Sequence, residues 1–102
     1  MQRKECYMKI KIYYRKNLKL SPQKLAAVCT HIGKELGKFC GDIVAWNDVV
    51  VVLSSSDKKF EEYKQYCFDN EKVLYHIHVD RGYTEVDPNT ECVIGWIEEE
   101  TS

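Results

Sequence analysis

The sequence lacks most of the features that assign a chain to a specialised protein class. It has only two prolines and five glycines in 102 residues, which excludes collagen-like and low-complexity chains. It contains no C-x-x-C pair, no glycine-rich phosphate loop and no internal repeat. The longest apolar run, Val49–Leu53, is far too short to cross a bilayer. These absences favour an ordinary globular domain.

The charges nearly cancel, so composition favours neither nucleic acid nor a membrane surface as the partner. Fifteen Lys and Arg residues stand against 16 Asp and Glu residues, a net charge of −1. Hydrophobic residues make up 44% of the chain, enough for a real core at this length. We therefore expect one domain over residues 1–102, with residues 1–7 and 98–102 frayed.

The cysteines indicate a reducing compartment. Their number is odd and their spacing is wide, which argues against a zinc site and against a disulfide framework. The five are Cys6, Cys29, Cys40, Cys67 and Cys92. The first residues contain no apolar signal-peptide core. We expect a cytoplasmic protein, or one in the host-cell cytoplasm if the chain is viral, without a cofactor.

Hydrophobic periodicity predicts five strands and two helices. Ser21-Pro22 is a typical helix start, and Ser54–Asp57 offers caps for a second helix. The predicted elements are a strand at Met8–Arg15, a helix from Pro22 to about Phe39, a hairpin of Ile43–Asn47 and Val49–Leu53, a helix up to Asp69, and strands at Lys72–Arg81 and Cys92–Ile97.

This order predicts an α+β fold with a ferredoxin-like β-α-β-β-α-β sheet, an added C-terminal strand and both helices on one face. The strand Met8–Arg15 would lie between Val49–Leu53 and Lys72–Arg81. The strand Cys92–Ile97 would pair with Lys72–Arg81 as a hairpin. Val49–Leu53 is apolar on both faces and is predicted to be a central, covered strand.

The predicted sheet leaves one face open, and that face is the first candidate site. Ile10, Ile12 and Tyr14 would turn toward the helices with Tyr75, Ile77 and Val79. Aliphatic side chains would then lie uncovered in the middle of the other face, which favours a binding partner. The candidate partner-binding residues are Lys9, Lys11, Tyr13, Arg15, Trp46, His76, His78 and Trp96.

These observations predict a small non-catalytic protein-interaction module of the regulator or inhibitor type. It would bind a protein partner, or a second copy as a homodimer, through the open sheet face or the edge strand Ile43–Asn47. The lysines and Arg15 would orient the partner and speed its association.

The segment His76-Ile77-His78 suggests an enzyme as an alternative. This pattern resembles the metal-binding motif of HUH nucleases, in which two histidines on one strand hold a divalent metal beside a scissile phosphate. The resemblance implies His76 and His78 as metal ligands and Tyr63 or Tyr66 as the nucleophile. In that family the tyrosine follows the histidines, whereas here only Tyr83 does so.

Nucleic-acid binding through the sheet is the third alternative. The same element order occurs in RNA-recognition motifs, which stack bases on aromatic residues of two neighbouring strands. Tyr13 fits one such position, but Val49–Leu53 carries neither an aromatic nor a basic residue. A thiol–imidazole pair is not expected either, because Cys29 and His31 are two residues apart on a helix and do not face each other.

Overall fold

The computed structural model describes residues 6–40, 49–80 and 89–101, with side chains within 9–38, 49–80 and 89–98. Within these ranges the elements are β1 (Cys6–Arg15), α1 (Pro22–Cys40), β2 (Val49–Ser55), α2 (Asp57–Asp69), β3 (Leu74–Asp80) and β4 (Thr90–Thr101). The predicted strand Ile43–Asn47, which includes Trp46, lies outside the described residues.

Serine side chains cap both helices, as the sequence predicts. The backbone N–H of Lys24 donates to Ser21 Oγ at 3.1 Å, and the N–H of Lys59 donates to Ser56 Oγ at 3.2 Å. Each bond satisfies one of the amides that a helix start leaves without a partner.

The strand order is β2-β1-β4-β3 in one mixed four-stranded sheet. β1 and β2 are parallel, and β4 is antiparallel to both of its neighbours, β1 and β3. An α+β domain with two helices is confirmed, and so is the pairing of β1 with β2. The ferredoxin-like order is wrong, because the C-terminal strand lies between β1 and β3. Cys92–Ile97 is buried at every position, so this strand needs cover on both sides.

The two helices cover opposite faces of the sheet, so the prediction of both helices on one face is wrong. The strand β4 lies between the helices, and its alternate side chains pack in two separate cores on opposite faces of the sheet. Val93 and Ile97 pack with Val28, Ile32 and Leu36 of α1. The intervening residues of β4, Ile94 and Trp96, pack with Phe60 and Cys67 of α2.

The register also corrects which residues share a face. Ile12 pairs with Gly95, and Gly95 pairs with His76 on its other side. The Ile10, Ile12 and Tyr14 side of the sheet is therefore the side of His76 and His78. Tyr75 and Ile77 lie on the α2 side, packed against the second core. Because β4 lies between β1 and β3, it determines which residues of these two strands share a face. The order of elements along the chain does not reveal this.

β2 is an edge strand, and its predicted central position is wrong. In the described part of the chain it pairs only with β1. Val50 is 57% exposed and Leu53 is 49% exposed, and these two side chains lie on opposite faces of the sheet. Of the two runs that are apolar on both faces, only Cys92–Ile97 lies in a central strand.

Candidate functional site: a polar groove between α1 and β3

A groove of about 640 Å³ runs between α1 and the edge strand β3. Buried Val28 contributes to its apolar floor, and most of its other lining side chains are polar or ionisable. All three histidines of the chain are among them. The ionisable lining residues are Lys24, His31, Glu35, His76, His78 and Asp80.

A buried ion pair closes one end of this groove. Lys24 Nζ lies 2.5 Å from Asp80 Oδ2, and the Asp80 side chain is only 3% exposed. The Ser21 cap places Lys24 in the first turn of α1. Asp80 is the last residue of β3, and its carbonyl oxygen accepts the backbone N–H of Asn89 at 2.6 Å. The carboxylate is thus held in place from both the strand and the helix.

A β-bulge lies beside this ion pair. His78 pairs with Val93 whereas Val79 pairs with Glu91, so Cys92 is the extra residue on β4. Both Cys92 and Val93 belong to the core under α1, because a bulge turns two successive side chains toward one side. The bulge therefore changes the direction of the sheet where His78 and Asp80 meet the helix.

His31 and His78 stack across the middle of the groove. Their ring centroids are 5.4 Å apart and the rings are inclined by 17°. Burial lowers the pKa of His78, the His31 ring lowers it further, and Lys24 and His76 act in the same direction. Asp80 opposes these effects. The native environment therefore favours the neutral imidazole of His78.

Glu35 lies toward the opposite end of the groove from the ion pair. Lys38 Nζ donates to both of its carboxylate oxygens, at 3.0 and 3.1 Å. This hydrogen bonding lowers the pKa of Glu35, with smaller contributions from the charges of Lys38 and His76. Glu35 and Asp80 thus each have a lysine partner within hydrogen-bond distance.

The residues predicted to form one binding face are divided between two faces. His76 and His78 line the α1 groove. Lys11, Tyr13 and Trp96 lie under α2, around a smaller pocket that also includes Glu98. Lys9 shares the strand face of Lys11 and Tyr13, and Arg15 Nε lies 3.0 Å from Asp57 Oδ1 at the start of α2. Trp46 lies outside the described residues.

The α2 side of the sheet holds a cluster of aromatic rings. Tyr13 stacks on Tyr63 at 4.1 Å between centroids and on Trp96 at 5.4 Å. Trp96 Nε1 and Tyr66 Oη each donate to Glu98 Oε1 at 2.7 Å. Burial and the neighbouring Tyr63 raise the pKa of Tyr13. The rings and polar atoms are already paired with one another, as in a packed core with a polar rim.

The arrangement of an HUH nuclease is not formed by the described residues. Tyr63 and Tyr66 lie on α2, on the other side of the sheet from His76 and His78. Among the residues that the structure describes, no three His, Cys, Asp or Glu side chains are grouped to hold a metal ion. The described thiols are poor nucleophiles, since burial raises the pKa of Cys29 and Cys92, and that of Cys67 to about 12.

Lys24, His31 and Glu35 are site residues that the sequence analysis did not identify. One signal for them exists in the periodicity. Lys24, His31 and Glu35 follow helical spacing along one side of α1, while His76, His78 and Asp80 alternate along β3. A polar stripe on a helix next to a polar row on a strand predicts a polar seam, provided that the two elements are known to be neighbours.

Comparison with protein-family models and with curated proteins finds no match to this chain. Neither helix, within the described residues, is long and apolar enough to span a membrane. The groove and the exposed edge strand are therefore the features that indicate a function.

Proposed function

We propose that this protein binds a polar ligand with an anionic group in the α1–β3 groove and carries out acid–base chemistry on it. One observation carries the proposal: the buried Lys24–Asp80 ion pair opens onto a groove that contains every histidine of the chain. A concave site with convergent ionisable groups is the usual location of ligand binding in a small domain.

The buried ion pair supports a functional role because it is a costly way to stabilise a fold. Burying two charges carries a desolvation penalty that their attraction often does not exceed, and apolar replacements are often neutral or stabilising. Asp80 is almost wholly buried, and Lys24 keeps 15% of its side chain exposed toward the groove. An ammonium held in place by a carboxylate presents hydrogen-bond donors at a fixed position to a carbonyl or phosphoryl oxygen.

The imidazoles supply the acid–base component. An unperturbed histidine titrates at about pH 6.5, so it can both accept and donate a proton near neutrality. Both carboxylates of the groove have lysine partners, Lys24 for Asp80 and Lys38 for Glu35. Among the described lining residues, neither carboxylate is therefore left without a cation to offset its repulsion of an anion.

Calorimetric titration with inorganic phosphate tests this proposal. We expect phosphate to bind at pH 6.0, because the Lys24 ammonium and the imidazole N–H groups of the groove attract the anion. His31→Gln removes one imidazole at an exposed helix position and should weaken binding at pH 6.0. Lys34→Met, which removes an exposed charge of the same helix that does not line the groove, is the matched control.

No measurable binding at pH 6.0, or equal losses in His31→Gln and Lys34→Met, would contradict the proposal. The first result would mean that the groove does not bind the anion. The second would mean that phosphate responds only to the overall charge of the helix.

As a second function, we propose that the protein is an interaction module that pairs β2 with an extended strand of a second copy. The run Val49–Leu53 is uncharged, and four of its five side chains are at least 40% exposed. Natural edge strands usually carry lysine, proline or a bulge that prevents such pairing, and this run has no lysine or proline. An antiparallel β2 pair would place aliphatic side chains opposite one another on both faces of the joined sheet.

Sedimentation velocity over a range of concentrations tests this second function. The wild type is expected to self-associate, and Val50→Lys with Val52→Lys should abolish association by placing charges along the edge. Leu74→Lys changes a similarly exposed residue on the other edge strand and should leave association intact. A strict monomer at high concentration, or loss of association in Leu74→Lys as well, would exclude self-pairing through β2.

A further inference from the structure

The contact between α1 and β3 differs from the contact between α1 and the rest of the sheet. The buried core under α1 joins Val28, Ile32 and Leu36 to β1 and β4, and among the described residues it includes no member of β3. Leu74 and Val79 of β3 are 38% and 42% exposed. The side of α1 that meets β3 carries the polar stripe Lys24, His31 and Glu35 instead.

This polar seam consists of three successive groups of side chains between α1 and β3. The Lys24–Asp80 ion pair forms one end, the stacked rings of His31 and His78 form the middle, and Glu35 with His76 lines the other end. Polar contacts hold two elements together only in the protonation states that suit them. The edge of the sheet at β3 is therefore held to α1 by groups that respond to pH, whereas the centre is held by apolar packing that does not.

We propose that the His31–His78 stack is a pH-sensitive latch, which holds α1 against β3 at neutral pH and releases this seam when both rings are protonated. Two imidazolium rings at this separation repel each other, and the charge of Lys24 adds to the repulsion on His78. Release of this seam would widen the groove in which we propose that the ligand binds. The biological role of the latch therefore rests on the proposed function, whereas its response to pH does not require a ligand.

The charges around His78 determine the direction of the response. From α1 it faces Lys24, His31 and, farther along the groove, Glu35; from β3 it has His76 and Asp80 as neighbours. Its partner on β4 is the uncharged Val93, and Glu91 of β4 pairs with Lys64 of α2 instead.

The net effect of these groups lowers the pKa of His78 below its unfolded value of about 6.5. The native state therefore binds fewer protons than the unfolded chain. The resulting stability is fully present above about pH 6.5 and is lost as the pH falls through that value toward the folded pKa.

Amide hydrogen exchange of the ligand-free protein in a phosphate-free buffer tests the latch. Between pH 7.5 and pH 5.5, after correction for intrinsic exchange rates, protection in β3 and in the facing side of α1 should fall by roughly tenfold relative to β1. β1 is the internal control, since it contacts the apolar core under α1. His78→Phe, which keeps a ring at the stack without a charge, should remove this pH dependence.

His76→Phe is the matched control, because it removes an imidazole from the same face of β3 that is outside the stack. It should retain the pH dependence of the wild type. Should His78→Phe fail to fold, His31→Phe tests the same pair from the exposed side of the helix. Protection that does not change with pH in the wild type, or a pH dependence that His76→Phe also removes, would overturn the latch.

These results are separable from those on phosphate binding. A latch without phosphate affinity would leave the seam as a pH-sensitive contact and remove the proposed ligand. Phosphate affinity without a change in protection would leave the binding site and remove the latch.

Discussion

Lys24→Met is expected to lower the free energy of unfolding by about 2–4 kcal/mol, because it leaves the buried Asp80 carboxylate without its cation. Breaking a fully buried ion pair would lower the free energy of unfolding somewhat more. The Lys24 side chain is 15% exposed, so we expect a smaller loss. Methionine has a similar length and keeps most of the packing, so the change reports mainly on the charge. Urea denaturation at pH 7.5, followed by circular dichroism, measures the loss.

A second substitution separates loss of charge from loss of packing. Lys24→Met combined with Asp80→Leu removes both charges, and we expect it to recover most of the stability that Lys24→Met loses. Lys34→Met serves as the control for removing an exposed lysine from the same helix, with an expected change within about 0.5 kcal/mol. A loss in Lys24→Met no greater than in this control would show that the ion pair is not buried in solution.

Gly95→Val is expected to destabilise the fold by about 3 kcal/mol through overpacking. Gly95 lies in the central strand, where an added Cβ would overlap Cγ2 of Ile32 on the helix above it. Its other close neighbours are Cγ1 of Ile12 at 3.4 Å and Cδ1 of Leu36 at 3.5 Å. All three are buried core side chains, so none can move aside into solvent. Thermal and urea denaturation both report the effect.

Substitution of a glycine in α1 is a control for which we expect the opposite change in stability. An added Cβ at Gly33 or Gly37 would meet nothing within 4 Å, and alanine is the better helix former by about 1 kcal/mol. Gly37→Ala should therefore stabilise the protein while Gly95→Ala destabilises it. Stabilisation in both would mean that α1 does not lie closely over the centre of the sheet.

Local patterns in the sequence predict the helices and strands that the structure describes. Ser21-Pro22 and the segment Ser54–Asp57 mark the helix starts that the structure has, and the structure selects Ser56 within that segment, because capping depends on residues next to each other in the chain. The alternation around His76 and His78 likewise predicts β3. These features depend on nearest neighbours, and the sequence displays them directly.

The strand order and the site depend on relations between distant segments. Val49–Leu53 and Cys92–Ile97 are both apolar at successive positions, and only the sheet reveals that one is an exposed edge and the other the centre. The pairing of Lys24 with Asp80 joins positions at opposite ends of two different elements. Ionisable residues such as these look like solvated surface until the helix and the strand are known to be neighbours.

The most direct test of the central claim is a map of chemical-shift changes when inorganic phosphate is added to the protein at pH 6.0. We expect the largest changes at the imidazoles of His31 and His78 and at the backbone amides near Lys24 and Asp80, with little change under α2. Phosphate that binds instead around Lys11 and Tyr13 on the α2 side, or that leaves the histidines unaffected, would contradict the assignment of the α1–β3 groove as the functional site.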